Sequence, residues 1–413
     1  MSISYIVFRA VLLAVAIPNS ALQAVTDEQQ SESATADDQT VAALNANAFA
    51  INVGADGDYY GVGWDHLIAE SQNAGIVILG EQHATADIPA LANQLHNSLK
   101  SDALAIEVGP WSTRFASELI KQGTSRLEAW QARSGNGFAL PFLFFAEESV
   151  ATEKMALRST NKIEPLWGLD QEFVGSGASL LPLLQREAKS FAQKEAVESF
   201  AAAQRRDPMM VGSIDDPAID ALAVAFAGNA IVDEIVTSLR TTSAIYAPYT
   251  RGTGSFYEAN LKRENYMKSN FVAAYRSAKA KLGRDPRVLV KLGGNHAMRG
   301  INDTNLPAFG NFVAEWGHAE NIGVVNILAD CFGGLARSPQ SNKAEPCEAM
   351  AAKALALMAI EKKGPITLVD FRPMRSKLGK LKHIDARTRE LILAFDFYLA
   401  IADVRAATMI QPK

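Results

Sequence analysis

The feature that most restricts the fold of this chain is a recurring pair: a short apolar run ending in glycine and polar residues, then a longer helical stretch. The runs lie at 75–79, 103–106, 163–167, 288–292, 324–328, 366–369 and 397–401. Each has strand length, and several are apolar throughout, as expected of strands buried on both faces. Strands alternating with helices predict an α/β fold, with a mostly parallel sheet flanked by helices and right-handed crossovers. Between 179 and 283 the pattern changes to a strandless stretch rich in Ala, Glu, Lys and Gln, broken near Asp207-Pro208 and at Pro248. That stretch predicts a helical insertion capping the sheet. With 413 residues, 48% hydrophobic and 21% charged, the chain has material for a large core. The expectation is one domain over 51–413 with the insertion inside it.

The N-terminus points to export. Within 1–24 the only charge is Arg9, an apolar run extends from Ala10 to Ile17, and Pro18-Asn19-Ser20 breaks it before a small-residue exit from Ala21 to Ala24. This is the pattern of a secretory signal peptide, too short to span a bilayer. The stretch 221–236 is apolar but interrupted by Asp233 and Glu234, so no membrane span is expected after signal removal. Segment 25–50, polar at its start, is expected to be a flexible leader. The location implied is secreted or periplasmic. The formal charge of -5 argues against a nucleic-acid partner, which calls for a basic surplus. Cys331 and Cys347, the only two cysteines, bracket a Gly/Pro/Ser-rich loop. In an oxidising compartment they should form one disulfide, stabilising by about 3 kcal/mol for a loop of this size.

Four of the strand runs are followed at once by groups able to do chemistry. They are Gly80-Glu81-Gln82-His83, Glu107-Val108-Gly109-Pro110, Gly168-Leu169-Asp170 and Gly293-Gly294-Asn295-His296. In a parallel sheet all carboxyl ends share one edge, where ligands bind. Topology would therefore gather His83, His296, Glu81, Glu107 and Asp170. Such a set can activate a water and orient the base that does so. It can also hold a divalent ion through Glu81, His83, Glu107 and His296.

These motifs resemble the superfamily of erythromycin esterases, ChaN-like haem-binding proteins and Tiki-type proteases. In that group a GE..H signature follows the first strand, a Glu ends the second, a G-x-D follows a later one, and a Gly-rich turn with His comes near the end. Arg263-Glu264-Asn265-Tyr266-Met267 looks like the R-[DE]-x-x-M helix of the esterase branch. Only Gln82 separates Glu81 from His83, a spacing closer to the ChaN and Tiki branches. Met298 and Arg299 stand where the esterase branch has a second His.

The expectation is an exported hydrolase acting on a small-molecule or peptide substrate, with an ester or related carbonyl attacked by water. His83 is the expected base, with Glu81 or Glu107 fixing its tautomer. His296 and the amides of Gly293 and Gly294, beside Asn295, would polarise the electrophile, and Arg263 would hold a polar or anionic substrate group. No cofactor is expected, because no His-x-His or His-x-x-x-His pair occurs. The alternatives are a Tiki-like metal-dependent protease, or a haem or metal binder with Tyr59, Tyr60 or His83 as axial ligand.

Other features read as ordinary structure. The Phe-rich stretch 137–145 is a substrate wall or, preferably, core. His96 lies one step off the stripe of Leu91, Leu95 and Leu99 and is expected at the surface. His318 is an outside candidate for the site, and His66 and His383 have no polar company in sequence. Gly175-Ser176-Gly177 lacks the frame of a nucleophile elbow, and no phosphate-binding glycine loop follows a strand.

Overall fold

A computed structural model describes residues 37–133, 136–338 and 341–412. The expected signal peptide and the first part of the expected leader lie outside these residues. Every apolar run forms a strand: β3 (Ile76–Glu81), β4 (Ala103–Ile106), β5 (Leu166–Gly168), β6 (Val288–Gly293), β7 (Val324–Cys331), β10 (Ile366–Asp370) and β11 (Phe397–Ile401). Two further strands of the same sheet had no counterpart in the sequence reading, β1 (Ala48–Val53) and β2 (Tyr59–Tyr60), and together these nine take the order β2-β1-β10-β11-β7-β3-β6-β4-β5. From β11 to β5 all pairings are parallel, whereas β10 is antiparallel to both β1 and β11. The sheet is thus mostly parallel with an antiparallel end.

Side chains of the central strands alternate between two cores. Val77, Leu79, Leu104, Ile106 and Leu289 enter one, and Ile76, Ile78, Ala103, Ala105, Val288, Val290 and Leu292 enter the other. Burial of such side chains contributes about 1.5–3 kcal/mol each, which accounts for runs with no polar position. Between β5 and β6 the described residues hold helices and no strand, ending in the long helix Phe256–Leu282. Asp207 ends the helix before it, as the Asp-Pro break suggested, but Pro248 lies inside the last turn of helix Ala230–Thr250. A proline near a C-terminus displaces only one intrahelical bond.

One expectation needs correction. The leader reading of 25–50 fails over its described part, where helix Asp38–Asn45 and β1 are ordered elements. Asp37 caps the helix by accepting from the Thr40 amide, and β1 pairs with β10 through Ala48↔Val369 and Phe49↔Leu368. The polar composition concealed a segment whose strand partner comes from the far end of the chain.

Cys331 and Cys347 form the expected disulfide. The loop it closes holds a hairpin, β8 (Leu335–Arg337) and β9 (Ala344–Pro346). Among the described residues no helix is long and apolar enough to cross a membrane.

Candidate functional site

Register brings the polar strand ends together. Glu81 is the last residue of β3 and pairs with Gly293, the last of β6, while Ile106 and Lys291 pair between β4 and β6. The chain can turn so sharply after β6 because Gly80 is glycine. A Cβ there would lie 2.6 Å from the Ala297 Cβ in the one-turn helix Gly294–Ala297. That turn carries His296 back over the sheet edge.

Two histidine–carboxylate pairs face a third carboxylate. His83 Nδ1 lies 2.9 Å from Glu81 Oε1, and His296 Nδ1 lies 2.6 Å from Glu264 Oε1. The other ring nitrogen of each histidine turns to Glu107: His83 Nε2 is 3.5 Å from Oε2 and His296 Nε2 is 3.6 Å from Oε1. Both separations exceed the usual N–H···O range, so neither Nε2 is tightly committed. Glu107 is instead held by the Gly293 amide, which donates to Oε2 at 2.7 Å, and by Arg263 Nη2, which donates to Oε1 at 2.7 Å. Arg263 also grips Asp170, donating from Nε at 2.9 Å and from Nη2 at 2.6 Å. On the other side, Lys291 Nζ donates to Glu81 Oε2 at 2.6 Å and to Glu148 Oε2 at 2.8 Å.

Electrostatics follow from this packing. Burial disfavours the His83 imidazolium, but Glu107 and Glu81 outweigh it and hold the pKa up at about 9. Burial likewise opposes charge on His296, and Glu264 reverses it, so its pKa is raised. Burial would raise Glu107, yet His296, His83 and Arg263 together hold it well below the usual carboxylate range. Glu81 is lowered in the same way by Lys291 and His83. The resting site at neutral pH is therefore imidazolium at His83 beside carboxylate at Glu107.

The loop bearing His83 is pinned. Ala84 has φ 63, in the left-handed region that a non-glycine residue adopts only when its surroundings enforce it. Its carbonyl accepts from the Arg337 amide of β8 at 2.9 Å and from the Ala407 amide of the C-terminal tail at 3.0 Å. The His83 ring stacks on Phe142 with centroids 4.3 Å apart. Phe144 and Phe145 join a buried cluster with Phe173, Val174 and Tyr246, so the Phe-rich stretch supplies both core and one wall of the site.

Of the residues expected here, Glu81, His83, Glu107, Asp170, Arg263, Gly293 and His296 form one network. Gly294 instead lets Met350 pack against the turn, a Cβ there meeting the Met350 sulfur at 2.4 Å, and Asn295 accepts from the Asp303 amide outside the network. Two assigned roles change. The Gly293 N–H is committed to Glu107 and cannot polarise an electrophile. Arg263 is buried and satisfied by two carboxylates, so it is an internal counter-ion and not a substrate clamp. His96 is buried, not on the surface: its Nε2 is 3.2 Å from Ser159 Oγ, and burial lowers its pKa to about 4. His318 is exposed at the end of helix Phe309–Ala319, which leads into the amino end of β7, and does not join the site.

Sequence reasoning did not assign roles to Glu264, Lys291, Glu148 and Phe142. Lys291 had a visible signal, being the single charge within an apolar strand. Glu264 lay in the R-E-x-x-M motif, where its pairing with His296 could not be read.

Among the described residues no three His, Cys, Asp or Glu side chains are placed to hold a metal ion. Lys291 and Arg263 already occupy the oxygens of Glu81 and Glu107, and a divalent cation would be repelled by both. The space beside His83, bounded by Glu81, Glu107, Phe142, Glu148 and Lys291, is about 10 Å³, near the minimum for one water. Tyr59 packs on Trp64 and Tyr60 is exposed at the sheet margin. A larger cavity of about 460 Å³ beside β5, lined by Arg114, Trp167, Asn270 and Lys281, contains none of the network's groups.

No protein-family model and no curated protein matches the sequence. Solved structures do match. A succinoglycan biosynthesis protein is 13% identical with a TM-score of 0.58, covering 90% of this chain and 98% of its own. A histidine-to-asparagine mutant of the erythromycin esterase EreC, in its open conformation, is 16% identical with a TM-score of 0.58, covering 84% of this chain and 95% of its own. A Bacillus cereus protein is 13% identical with a TM-score of 0.56, covering 90% of this chain and 98% of its own. The chain shares the fold of these proteins, a mostly parallel sheet flanked by helices.

Proposed function

We propose that this protein is a hydrolase in which His83 activates a water to attack an ester or related carbonyl, without a metal or haem. The observation that carries the reading is the convergence of the two histidines. Each has Nδ1 held by its own carboxylate, Glu81 or Glu264, and each turns Nε2 toward Glu107. A carboxylate on Nδ1 fixes the tautomer that leaves Nε2 free for proton transfer.

In the active form His83 is neutral, with its proton on Nδ1 and the Nε2 lone pair open to the water. The water gives its proton to Nε2 and its oxygen attacks the carbonyl carbon. Glu81 and Glu107 stabilise the resulting imidazolium. His296, whose pKa Glu264 raises, stabilises the oxyanion in its protonated form and delivers that proton to the leaving oxygen as the tetrahedral intermediate collapses. The erythromycin esterase among the structural neighbours supports the reaction class, and the disulfide supports an exported protein in an oxidising compartment.

The test is a panel of ester, lactone and peptide substrates assayed with and without chelator, for the wild type and His83→Ala. Chelator-resistant hydrolysis lost in the variant supports the reading. Activity restored to chelated protein by Mn²⁺ or Co²⁺ would sink the metal-free mechanism.

A further inference from the structure

Strand β6 reads Val-Leu-Val-Lys-Leu-Gly and lies inside the sheet between β3 and β4. Lys291 is in register with Leu79 on one side and Ile106 on the other, and its side chain is 3% exposed. An aliphatic residue would suit that layer, and a buried ammonium is costly unless something uses it. Its Nζ lies between Glu81 Oε2 and Glu148 Oε2. Glu81 thereby has one oxygen for Lys291 and the other for His83 Nδ1, which makes a line Glu148–Lys291–Glu81–His83. Glu148 projects from helix Ala146–Arg158, a separate element from the strands that carry the other members.

We propose that Lys291, anchored by Glu148, is a positioning residue for the hydrolytic reaction. It holds the Glu81 carboxylate in the one orientation that keeps the His83 Nδ1–H engaged and its Nε2 turned toward Glu107. The proposal rests on the hydrolase reading for its consequence in rate, but its geometric core can be tested without a substrate. Without Lys291 the Glu81 carboxylate loses the partner that fixes its plane. His83 is then free to turn, and the neutral ring divides between tautomers. The helix carrying Glu148 also bears Glu147, whose carboxylate accepts from the Thr408 amide of the C-terminal tail at 2.9 Å. One short stretch thus holds both the inner clamp and the strap over the His83 loop.

The single change Lys291→Met leaves two carboxylates facing each other and can fail to fold. The informative variant is Lys291→Met combined with Glu148→Leu, which removes the outer ion pair as a unit. Proton NMR of the full chain, with the His83 Nδ1–H resonance assigned by its absence in His83→Gln, reads the geometry directly. The expected result is a cooperatively melting double variant that has lost this slowly exchanging resonance, with kcat lowered about 10–100-fold and KM little changed. A folded double variant that keeps the resonance, or keeps kcat within about twofold, overturns the proposal. If that variant does not fold, Glu148→Gln decides. It preserves every contact in shape and removes only the outer charge, and a resonance and kcat both unchanged there overturn the proposal as well. Wild-type protein inert toward every substrate would fell the hydrolase reading alone, because the resonance comparison would still decide whether Lys291 positions His83.

Discussion

The molecule contains two clusters with the same ingredients, a histidine, an acid and a cation, at opposite edges of one sheet. In the first, His83, Glu81 and Lys291 lie at the carboxyl ends of the parallel strands. In the second, His66 Nε2 lies 2.9 Å from Asp370 Oδ2, and Arg372 donates to both oxygens of that aspartate. Asp370 ends antiparallel β10 and pairs with Phe397, the first residue of β11, so the second cluster sits at the amino ends of the parallel strands. The local pairings are alike, and their surroundings are not. His83 is 17% exposed and Lys291 3%, whereas His66 and Arg372 are each 30% exposed. The His66 ring lies between Phe49 and Phe397. What makes one cluster a candidate for catalysis is that the ends of two further strands, β4 and β5, and the helices Ala146–Arg158, Phe256–Leu282 and Gly294–Ala297 deliver groups to it. The triad alone does not suffice.

The largest expected effect follows from that difference. His83→Ala should lower kcat by about 10²–10⁴-fold, the usual contribution of a positioned acid–base group. Its far-ultraviolet dichroism should match the wild type. A variant that has lost its fold would make His83 a structural histidine and put the two clusters on the same footing.

The cations give the next contrast. Arg263→Met leaves Glu107 and Asp170 as neighbouring buried carboxylates and should destabilise the protein by about 3–5 kcal/mol in urea unfolding. Arg372→Met, where the guanidinium is 30% exposed and His66 still faces Asp370, should cost less, about 1–2 kcal/mol. Comparable losses in the two variants would mean that the burial contrast carries no energetic weight.

The pH dependence comes third and has two signs. His83 has its pKa raised from 6.5 to about 9, so its charged form stabilises the fold. That contribution is fully present below the unfolded value of 6.5 and is lost as pH rises through about 9. Catalysis needs the neutral ring, whose share grows about 50-fold between pH 7 and pH 9 for a group of this pKa. While His296 keeps its proton, the rate should therefore climb over the range in which this contribution to folding stability falls. A kcat/KM profile that falls throughout pH 7 to 9 would show that neutral His83 is not the base.

How much of this was legible in the sequence depends on the range of the interaction involved. The strands were legible because burial on both faces leaves only apolar residues, and the edge residues because parallel topology gathers whatever follows each strand. Gly293 and Arg263 lie in the network, but their bonds there are not the ones their sequence context suggested. Their partners, Glu107 and Asp170, are within the protein, and a sequence does not show that a donor is already taken. Glu148 was invisible, since Ala-Glu-Glu-Ser at 146–149 looks like any acidic first helical turn. His96 was misjudged because helix Ala146–Arg158 covers the side of helix Asp87–Leu99 that its own periodicity left polar. β1 was missed because its pairing with β10, far away in sequence, is a property of the assembled sheet.

The smallest expected effect tests the comparison most sharply, because it predicts near silence from a cluster that resembles the active one. His66→Gln keeps an amide able to donate to Asp370 and avoids the cavity that alanine would leave between Phe49 and Phe397. Asp370 would still accept from the Arg372 amide and from both guanidinium nitrogens, so no carboxylate is stranded. Stability should change by less than about 1 kcal/mol, as for a partly exposed ion pair, and kcat/KM by less than about twofold. The reason is positional: Asp370 and His66 stand at the sheet edge opposite to Glu107. A tenfold loss of kcat with stability unchanged would show that the two edges communicate, and catalysis would then involve both histidine clusters.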